Sequence, residues 1–289
     1  MTAQIMAAEA PRSQDTEALL AEIGAELRTG KIVPYIGPGV TALCDPEIPV
    51  TPTALADFFA AKVALPKRAR GNAWASAQHI ESMKHRSTVT ALMTEAFRAQ
   101  VVPGALHGFL AGLKLPMIVD TWYDGAFRAA LAGRDDWGEV QGITRAGIGE
   151  DRWYRFYDKD GKDASKDDAE GWTTLLYKPH GSSVPASNFL ISDADYVEVL
   201  TEIDIQTPIP EAVKNRRAGR GFLFLGCRFN DQLLRTYARQ AMKRSGPRHY
   251  AVVDAGELTR NEICFLSTQG ITIIDMKLAR AADILLGVA

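Results

Sequence analysis

Cysteine is scarce in this sequence: Cys44, Cys227 and Cys264 are the three cysteines among 289 residues, and none belongs to a Cys-x-x-Cys pair. A zinc site made of four cysteines is therefore excluded, and three scattered cysteines do not build a disulfide framework. The five histidines show neither the His-x-His nor the His-Glu-x-x-His spacing that is typical of metal sites. We therefore expect no metal site and no zinc.

An excess of charge of one sign and a long apolar run are missing as well. Lysine and arginine number 33 against 35 aspartates and glutamates, so binding to nucleic acid or to an anionic membrane is not expected. A basic cluster of Arg216, Arg217 and Arg220 is too small to change this. No apolar stretch reaches the roughly 18 residues of a transmembrane helix, and the first residues do not resemble a signal peptide. We expect a cytoplasmic protein.

Short apolar runs recur along the chain, as is typical of strands that are buried on both faces of a sheet. They cover residues 32–36, 117–121, 175–179, 221–226, 249–254 and 271–275. A helical pattern over residues 15–29 precedes the first run, and helical patterns separate most of the others. This alternation predicts an α/β fold with a doubly wound, Rossmann-like parallel sheet, in which ligands bind at the carboxyl ends of the strands.

Two regions interrupt the alternation of strands and helices. Residues 52–112 are predicted to be a mostly helical segment. Residues 133–174 are polar, rich in glycine and strongly charged, and we expect a small charged insert or subdomain there. Within it, Asp160 and Gly161 are typical of the tip of a hairpin.

The first strand leads directly into the sequence Gly37-Pro38-Gly39-Val40-Thr41. A strand followed by glycines and a hydroxyl residue that opens a helix lets backbone amides approach a phosphate, and the helix dipole assists. Pro38 offers no amide, which counts slightly against this hypothesis. The alternative is a tight turn that binds nothing.

Two further strands end in residues that can face a ligand. His180 follows the strand at 175–179 and is a candidate general base, or else a loop histidine bonded to backbone. Gly226 and Cys227 follow the strand at 221–226, where glycine permits a close backbone approach and the cysteine is a small residue lining a pocket. Asn230 is a candidate ligand contact or simply part of a helix cap.

The strand at 117–121 is followed by a fourth candidate segment. Asp120 and Asp124 carry carboxylates that can hold ribose hydroxyls, and Trp122 and Tyr123 can stack on a flat ring. The alternative is that these two aromatic residues pack beneath the charged region.

The order of the four motifs resembles that of the bacterial SIR2-like domain family, relatives of the sirtuins within a wider NAD- and FAD-binding fold. The segments that carry the resemblance are YIGPGVT, VDTWYDGAFRAAL, KPHGS and FLFLGCRFND, and it spans roughly residues 30–276. The resemblance implies a single SIR2-like domain over residues 1–289, and a homo-oligomer by analogy with the family.

The resemblance also implies roles for individual residues. The loop from Gly37 to Thr41 would cradle the phosphates of a dinucleotide, which would be NAD, ADP-ribose or, in one version, FAD. Gly226 and Cys227 would lie against a ribose or a phosphate. His180 would be the catalytic base near the nicotinamide ribose.

Three departures from the family pattern limit the expected chemistry. Trp122 stands where the family has an asparagine that positions the ribose and the attacking water, and an indole cannot replace an amide. Pro38 stands where the family has alanine, and the zinc module of sirtuins is absent. We therefore expect a dinucleotide-binding protein with impaired or altered chemistry. One alternative is an NAD glycohydrolase that uses His180 as base and Asp120 or Asp124 in place of the asparagine. Another is a regulatory or interaction protein with an empty site.

Overall fold

A computed structural model describes residues 13–144, 153–202 and 209–288 of the chain. The segment at 145–152, which belongs to the expected charged insert, and the first twelve residues lie outside this description. The strands of the described part are β1 (Ile32–Ile36), β2 (Met117–Asp120), β3 (Trp137–Gly142), β4 (Tyr154–Asp158), β5 (Asp163–Ala164), β6 (Thr174–Lys178), β7 (Gly181–Ser182), β8 (Asn188–Phe189), β9 (Gly221–Leu225), β10 (His249–Val253) and β11 (Ile271–Asp275).

Helices connect these strands and cover the sheet. They are α1 (Ser13–Arg28), α2 (Pro38–Ala42), α3 (Pro52–Lys62), α4 (Ala73–Lys84), α5 (Arg86–Ala96), α6 (Ala105–Gly112), α7 (Ala126–Leu131), α8 (Lys166–Glu170), α9 (Asp193–Glu202), α10 (Glu211–Arg217), α11 (Gln232–Met242), α12 (Arg260–Thr268) and α13 (Leu278–Leu286). Within the described ranges, no helix combines the length and the apolar character needed to cross a membrane.

Nine of the strands in the described ranges form one sheet in the order β11-β10-β9-β1-β2-β6-β3-β4-β5. All neighbouring pairs from β11 to β3 are parallel, and β4 and β5 add antiparallel partners at one edge. Side chains alternate between the two faces: Leu223 and Leu225 of β9 join the core beneath α1 and α13, whereas Phe222 and Phe224 face α11. The predicted α/β, Rossmann-like fold is confirmed.

The chain leaves β1 and β9 in opposite directions across the sheet. After β1 it continues to β2 and its far neighbours, and after β9 it continues to β10 and β11 on the other side. Two adjacent parallel strands with diverging connections leave a crevice outside their carboxyl ends, where open α/β sheets bind ligands. The segments that begin at Gly37 and Gly226 meet at this crevice.

The described residues within 133–174 extend the sheet and do not stand apart from it. β3 pairs in parallel with β6 and is buried along its whole length, and β4 returns antiparallel to β3. The sequence pattern concealed β3 because the strand carries Glu139, whose charge is balanced by Arg128 at 2.7 Å between Oε2 and Nη1. The expected hairpin closes with the Asp158 amide donating to the Lys162 carbonyl at 2.9 Å.

Four helices, α3 to α6, lie within residues 52–112. The apolar sides of α3, α4 and α5 share a core with Trp122, Tyr123 and Tyr196, so this segment forms one wall of the crevice. The sequence therefore places a helical layer directly over the carboxyl ends of the central strands.

The arginines of the basic cluster bind backbone carbonyls. Arg216 donates to Ala169 and Trp172, and Arg217 donates to Gln240 at the end of α11. These bonds join α8, α10 and α11 on one face of the sheet, which gives the cluster a structural role.

Candidate functional site

A cavity of about 720 Å³ opens at the carboxyl ends of β1, β2, β9, β10 and β11. Ligand-binding cavities commonly have volumes of about 300 to 1,000 Å³, so this one has room for a nucleotide-sized molecule. The predicted site residues that line it are Gly37, Pro38, Gly39, Trp122, Tyr123, His180, Gly226, Cys227 and Asn230. Val40, Thr41, Asp120 and Asp124 are not among its lining residues.

The two glycine segments approach each other more closely than any other residue type would permit. A β-carbon on Gly37 would lie 2.4 Å from the Gly226 carbonyl oxygen, and one on Gly226 would lie 2.5 Å from the Val40 amide nitrogen. Gly226 also has a φ of +64°, in the left-handed region that favours glycine. Contact between two backbone segments therefore accounts for the glycines at these positions.

The amides of the glycine loop are largely engaged inside the protein. The Gly37 amide donates to the Leu225 carbonyl at 2.9 Å, and the Gly39 amide donates to the Gly226 carbonyl at 3.0 Å. The Val40 amide donates to the Gly37 carbonyl, and Pro38 has no amide to offer. The loop forms a wall of the cavity, but its bonding differs from the phosphate cradle expected from the sequence.

His180 follows β6 and is buried where it lines the cavity. Its Nδ1 lies 3.2 Å from the Tyr196 hydroxyl, and its Nε2 has no hydrogen-bond partner among the described residues. Burial, together with the charge of Lys178, lowers the pKa of His180 to about 3. The imidazole is therefore neutral at physiological pH, with hydrogen on one of its two nitrogens.

Asp120 forms a buried ion pair. Its Oδ2 lies 2.7 Å from Lys178 Nζ, and its Oδ1 accepts a bond from the Trp122 amide at 3.1 Å. Burial raises the pKa of Asp120 to about 6 even though Lys178 acts in the opposite direction. The carboxylate therefore holds the segment after β2. Asp120 was a candidate catalytic residue from the sequence, but it does not line the cavity.

Asp124 is occupied in the same manner. Its Oδ2 accepts a bond from the Thr41 hydroxyl at 2.9 Å, and its Oδ1 accepts one from the Ala126 amide at 2.8 Å, at the start of α7. The Asp124 carbonyl accepts a bond from Lys178 Nζ at 2.7 Å. Asp124 therefore ties α2 to α7, and Lys178, the last residue of β6, holds the end of β2 and the segment that follows it.

Trp122 is fixed in the wall of the cavity. Its ring nitrogen donates to the Pro49 carbonyl at 2.8 Å, and its ring packs against Phe97 and Tyr123 at centroid distances of 5.8 and 5.3 Å. Trp122 and Tyr123 are only 5% and 2% exposed, so little ring surface remains to stack on a flat ligand. The single donor of the indole is turned to the protein.

The opposite wall of the cavity carries charge. Arg228 lies over Glu262, with 2.9 Å between Nε and Oε1, and Lys277 is an exposed lysine at the start of α13. Burial opposes ionisation of Glu262, but its bonds with Arg228 and with the Thr259 and Phe229 amides lower its pKa to about 2. The first residues of α13, Leu278 and Ala279, also line the cavity.

The start of α13 favours negative charge. No side chain of the described residues caps its first amides, whereas Asp231 caps the start of α11 by accepting a bond from the Leu233 amide. Uncapped amides and the helix dipole together favour an anion.

Cys227 is a buried thiol beside the glycine contact. It donates weakly to the Tyr35 carbonyl, and burial raises its pKa far above the ordinary value. A thiol with a raised pKa is a poor nucleophile, so Cys227 acts as a small lining residue. Among the described residues, no three histidine, cysteine, aspartate or glutamate side chains are placed to share a metal ion.

Sequence reasoning missed two residues that shape the site. Tyr196, at the start of α9, bonds to His180, and Lys178 joins the end of β6 to the end of β2. For Tyr196 the usable signal was Asp195, since an acidic residue is typical of the first turn of a helix. In the structure its carboxylate accepts bonds from the Ile191 and Ser192 amides at the beginning of α9. A lysine inside an apolar strand was a usable signal for the second, since a buried lysine requires a partner.

The sequence matches the family model described as SIR2-like domain over residues 116–274, which is more than half of the chain. The matched range contains His180 and Gly226 but begins after the glycine loop that follows β1. No curated protein matches the sequence.

Proposed function

The chain belongs to the SIR2-like domain family, and on this premise we propose that its cavity binds a dinucleotide with an ADP-ribose part. NAD and ADP-ribose are the first candidates, and FAD is a further version of the same proposal. The observation that carries the proposal is the cavity itself. It lies at the crossover between β1 and β9, has a volume of about 720 Å³, and contains a buried ring nitrogen without a partner among the described residues, His180 Nε2.

The charged wall supports a ligand that carries phosphates. Lys277 and the uncapped start of α13 line one side of the cavity and attract negative charge, whereas Arg228 on that side is paired with Glu262 and Glu257. The amides of Gly37 and Gly39 are bonded to neighbouring carbonyls. We therefore place the phosphates of the ligand against the start of α13, with the glycine loop as a close-fitting wall.

The residues around His180 support binding with impaired or altered chemistry. Trp122 directs its single donor to the Pro49 carbonyl, so it does not present the amide that the family uses at this position. The low pKa of His180 makes the neutral imidazole a weak proton acceptor near neutral pH. Both observations favour a bound ligand over rapid turnover.

The test is calorimetric titration of the full chain with NAD, ADP-ribose and FAD, together with an absorbance spectrum of the purified protein. We expect saturable binding of at least one of these ligands, and flavin bands support the FAD version. Lys277→Glu should weaken binding, because it places a negative charge beside the phosphates. Lys31→Glu is the matched control, since Lys31 is an exposed lysine at the opposite end of β1.

Two outcomes of these titrations would contradict the proposal or a part of it. No binding of any of the three ligands contradicts the proposal and favours a regulatory or interaction protein with an empty site. Equal effects of Lys277→Glu and Lys31→Glu contradict the placement of the phosphates.

An NAD glycohydrolase is the second candidate, because the unpartnered Nε2 of His180 is placed to bond a ligand or to exchange a proton with it in the cavity. In this case NAD is the substrate, and the bond between nicotinamide and ribose is cleaved. Release of free nicotinamide that is lost in His180→Ala favours this candidate. Binding of NAD without release of nicotinamide favours the first.

A further inference from the structure

A second and smaller cavity, of about 30 Å³, lies between the sheet and the helices α10 and α11. A buried water molecule needs about 10 to 15 Å³, so this cavity has room for about two bodies of that size. Most of its lining is apolar, and none of the described residues that line it is an aspartate or a glutamate. The lining also includes four tyrosines, an arginine and a glutamine, which are Tyr35, Tyr154, Tyr177, Tyr237, Arg217 and Gln240.

Arg217 brings a positive charge to this cavity. It is the last residue of α10 and is only 5% exposed. Its Nη1 donates to the Gln240 and Ala241 carbonyls at 2.7 and 3.2 Å, whereas its Nε is buried and has no hydrogen-bond partner among the described residues. Burial is the largest influence on the pKa of Arg217 and lowers it, but an arginine stays charged in a protein. The guanidinium therefore lies buried without a carboxylate bonded to it among the described residues.

The Tyr237 hydroxyl is a second buried group in the lining that lacks a partner. Tyr237 is 7% exposed, and its hydroxyl forms no hydrogen bond with the described residues. Burial raises the pKa of Tyr237, and the nearby hydroxyls, among them those of Tyr177 and Tyr35, add to this rise. Burial also raises the pKa of Tyr177, while the positive charge of Arg217 acts in the opposite direction. These hydroxyls therefore keep their protons at neutral pH, and they lie near one another and near the guanidinium.

The charge of Arg217 decides what the cavity takes. Water molecules satisfy the Tyr237 hydroxyl and Arg217 Nε as hydrogen-bond acceptors, but they leave the buried guanidinium without a counter-ion, which is costly. A small anion accepts both hydrogen bonds and also balances the charge. We propose that this cavity binds a monatomic anion of the halide class, such as chloride, held by Arg217 Nε and the Tyr237 hydroxyl. The proposal is independent of the dinucleotide proposed for the larger cavity.

The anion lies behind the wall of the larger cavity that carries His180. The Tyr237 ring packs against the His180 ring, with 4.5 Å between their centroids. Tyr35 lines both cavities. Because a hydrogen bond to the anion fixes the Tyr237 hydroxyl, the anion also holds the ring on which the imidazole packs.

Crystals of the full chain grown with sodium bromide in place of sodium chloride locate a halide directly, because bromide scatters anomalously at its absorption edge. We expect an anomalous peak in this cavity, in contact with Arg217 Nε and the Tyr237 hydroxyl. Density in the cavity without an anomalous signal is water and overturns the proposal. A bromide peak in a protein whose stability does not depend on chloride shows binding at crystal concentration only, and this result also overturns it.

Urea unfolding of the full chain measures the affinity for chloride in solution, with gluconate as the replacing anion at constant ionic strength. We expect stability to rise with the chloride concentration, because an anion that binds only the folded state stabilises it. Tyr237→Phe should raise the dissociation constant obtained from this rise by about three- to tenfold, as expected for one hydrogen bond. Arg217→Met should abolish the dependence on chloride.

Arg216→Met is the matched control for Arg217→Met. Arg216 precedes Arg217 in α10 and also donates to backbone carbonyls, those of Ala169 and Trp172, but it does not line the cavity. Arg216→Met should keep the dependence on chloride of the unaltered protein. An equal dependence in the two variants overturns the proposal, and the anomalous map of the unaltered protein decides it even if Arg217→Met fails to fold.

Discussion

Replacing Lys178 by methionine separates the two roles that Asp120 can have, as a structural ion pair or as a group that reaches the ligand. Lys178 and Asp120 are 1% and 2% exposed, and 2.7 Å separates Nζ from Oδ2. Methionine has a similar length and keeps most of the packing, but it removes the ammonium group. The carboxylate of Asp120 is then buried without a cation.

The size of the effect follows from burial. Removing one partner of a buried ion pair costs about 3 to 5 kcal/mol, a large part of the roughly 5 to 15 kcal/mol that stabilises a folded domain. The double variant Lys178→Met/Asp120→Asn leaves no buried charge. We therefore expect the double variant to be more stable than Lys178→Met alone.

The pH dependence of stability tests the same ion pair independently. The pKa of Asp120 in the folded protein is raised by burial to about 6 from 3.8, so the folded state binds the proton more readily than the unfolded state. Stability therefore falls as the pH rises from about 4 to about 6, by roughly 3 kcal/mol at about 1.4 kcal/mol for each pKa unit, and this contribution is constant above that range. Without Lys178 the pKa of Asp120 rises further. The fall in stability then continues between about pH 6 and pH 8.

Urea unfolding followed by tryptophan fluorescence at about pH 6 and pH 8 measures these differences. Lys31→Met is the matched control, because it removes an exposed ammonium group and should change stability by less than about 0.5 kcal/mol. A loss below about 1 kcal/mol at pH 8 for Lys178→Met refutes the buried ion pair. Asp120→Asn that abolishes ADP-ribose binding while stability is unchanged refutes the structural role of Asp120.

Three further predictions concern the wall of the cavity. Trp122→Asn should strengthen NAD binding or restore release of nicotinamide, and unchanged affinity with no release contradicts the assignment of Trp122 to the asparagine position. Gly226→Ala should destabilise the protein in urea by about 1 to 3 kcal/mol more than Gly71→Ala. Both glycines have a positive φ, but of these two, among the described residues, only Gly226 has backbone atoms within 3 Å of the added β-carbon. Equal losses of stability argue against the close contact. In the folded protein an alkylating reagent should modify the exposed Cys264 quickly and the buried Cys227 only on unfolding, by mass spectrometry, and rapid modification of Cys227 contradicts its burial.

The parallel strands other than β3 could be predicted because each is a short apolar run; β1, β2, β6, β9 and β10 are buried along their whole length, and β11 at the edge is partly exposed. The predicted runs at 32–36 and 271–275 agree with β1 and β11 at both ends, and β9 ends at Leu225, one residue before the predicted end. β3 could not be predicted from the same signal. Glu139 and Gln141 lie within it, and they are tolerated because Arg128 and neighbouring amides satisfy them.

The sequence predicts where in the fold the candidate site lies, but it does not predict which side chains face the cavity. Ligand sites at the carboxyl ends of parallel strands are a property of the fold, and His180, Trp122 and Gly226 line the cavity for this reason. Whether a carboxylate at a strand end faces the cavity depends on partners that are distant in sequence. Asp120 is bound by Lys178, which lies 58 residues further along the chain, and no local sequence pattern predicts this ion pair.

The glycines show that a fold can require a motif whether or not the usual ligand of that motif binds. Gly37, Gly39 and Gly226 are required here by the approach of two backbone segments, and the Gly37 and Gly39 amides are satisfied by the carbonyls of the other segment. The same residues would therefore be needed whether or not a phosphate binds beside them. The features that this contact does not explain are the Nε2 of His180, which has no partner among the described residues, and the uncapped start of α13 with Lys277. Because neither is needed to close the fold, these two features support the binding of a ligand in the cavity.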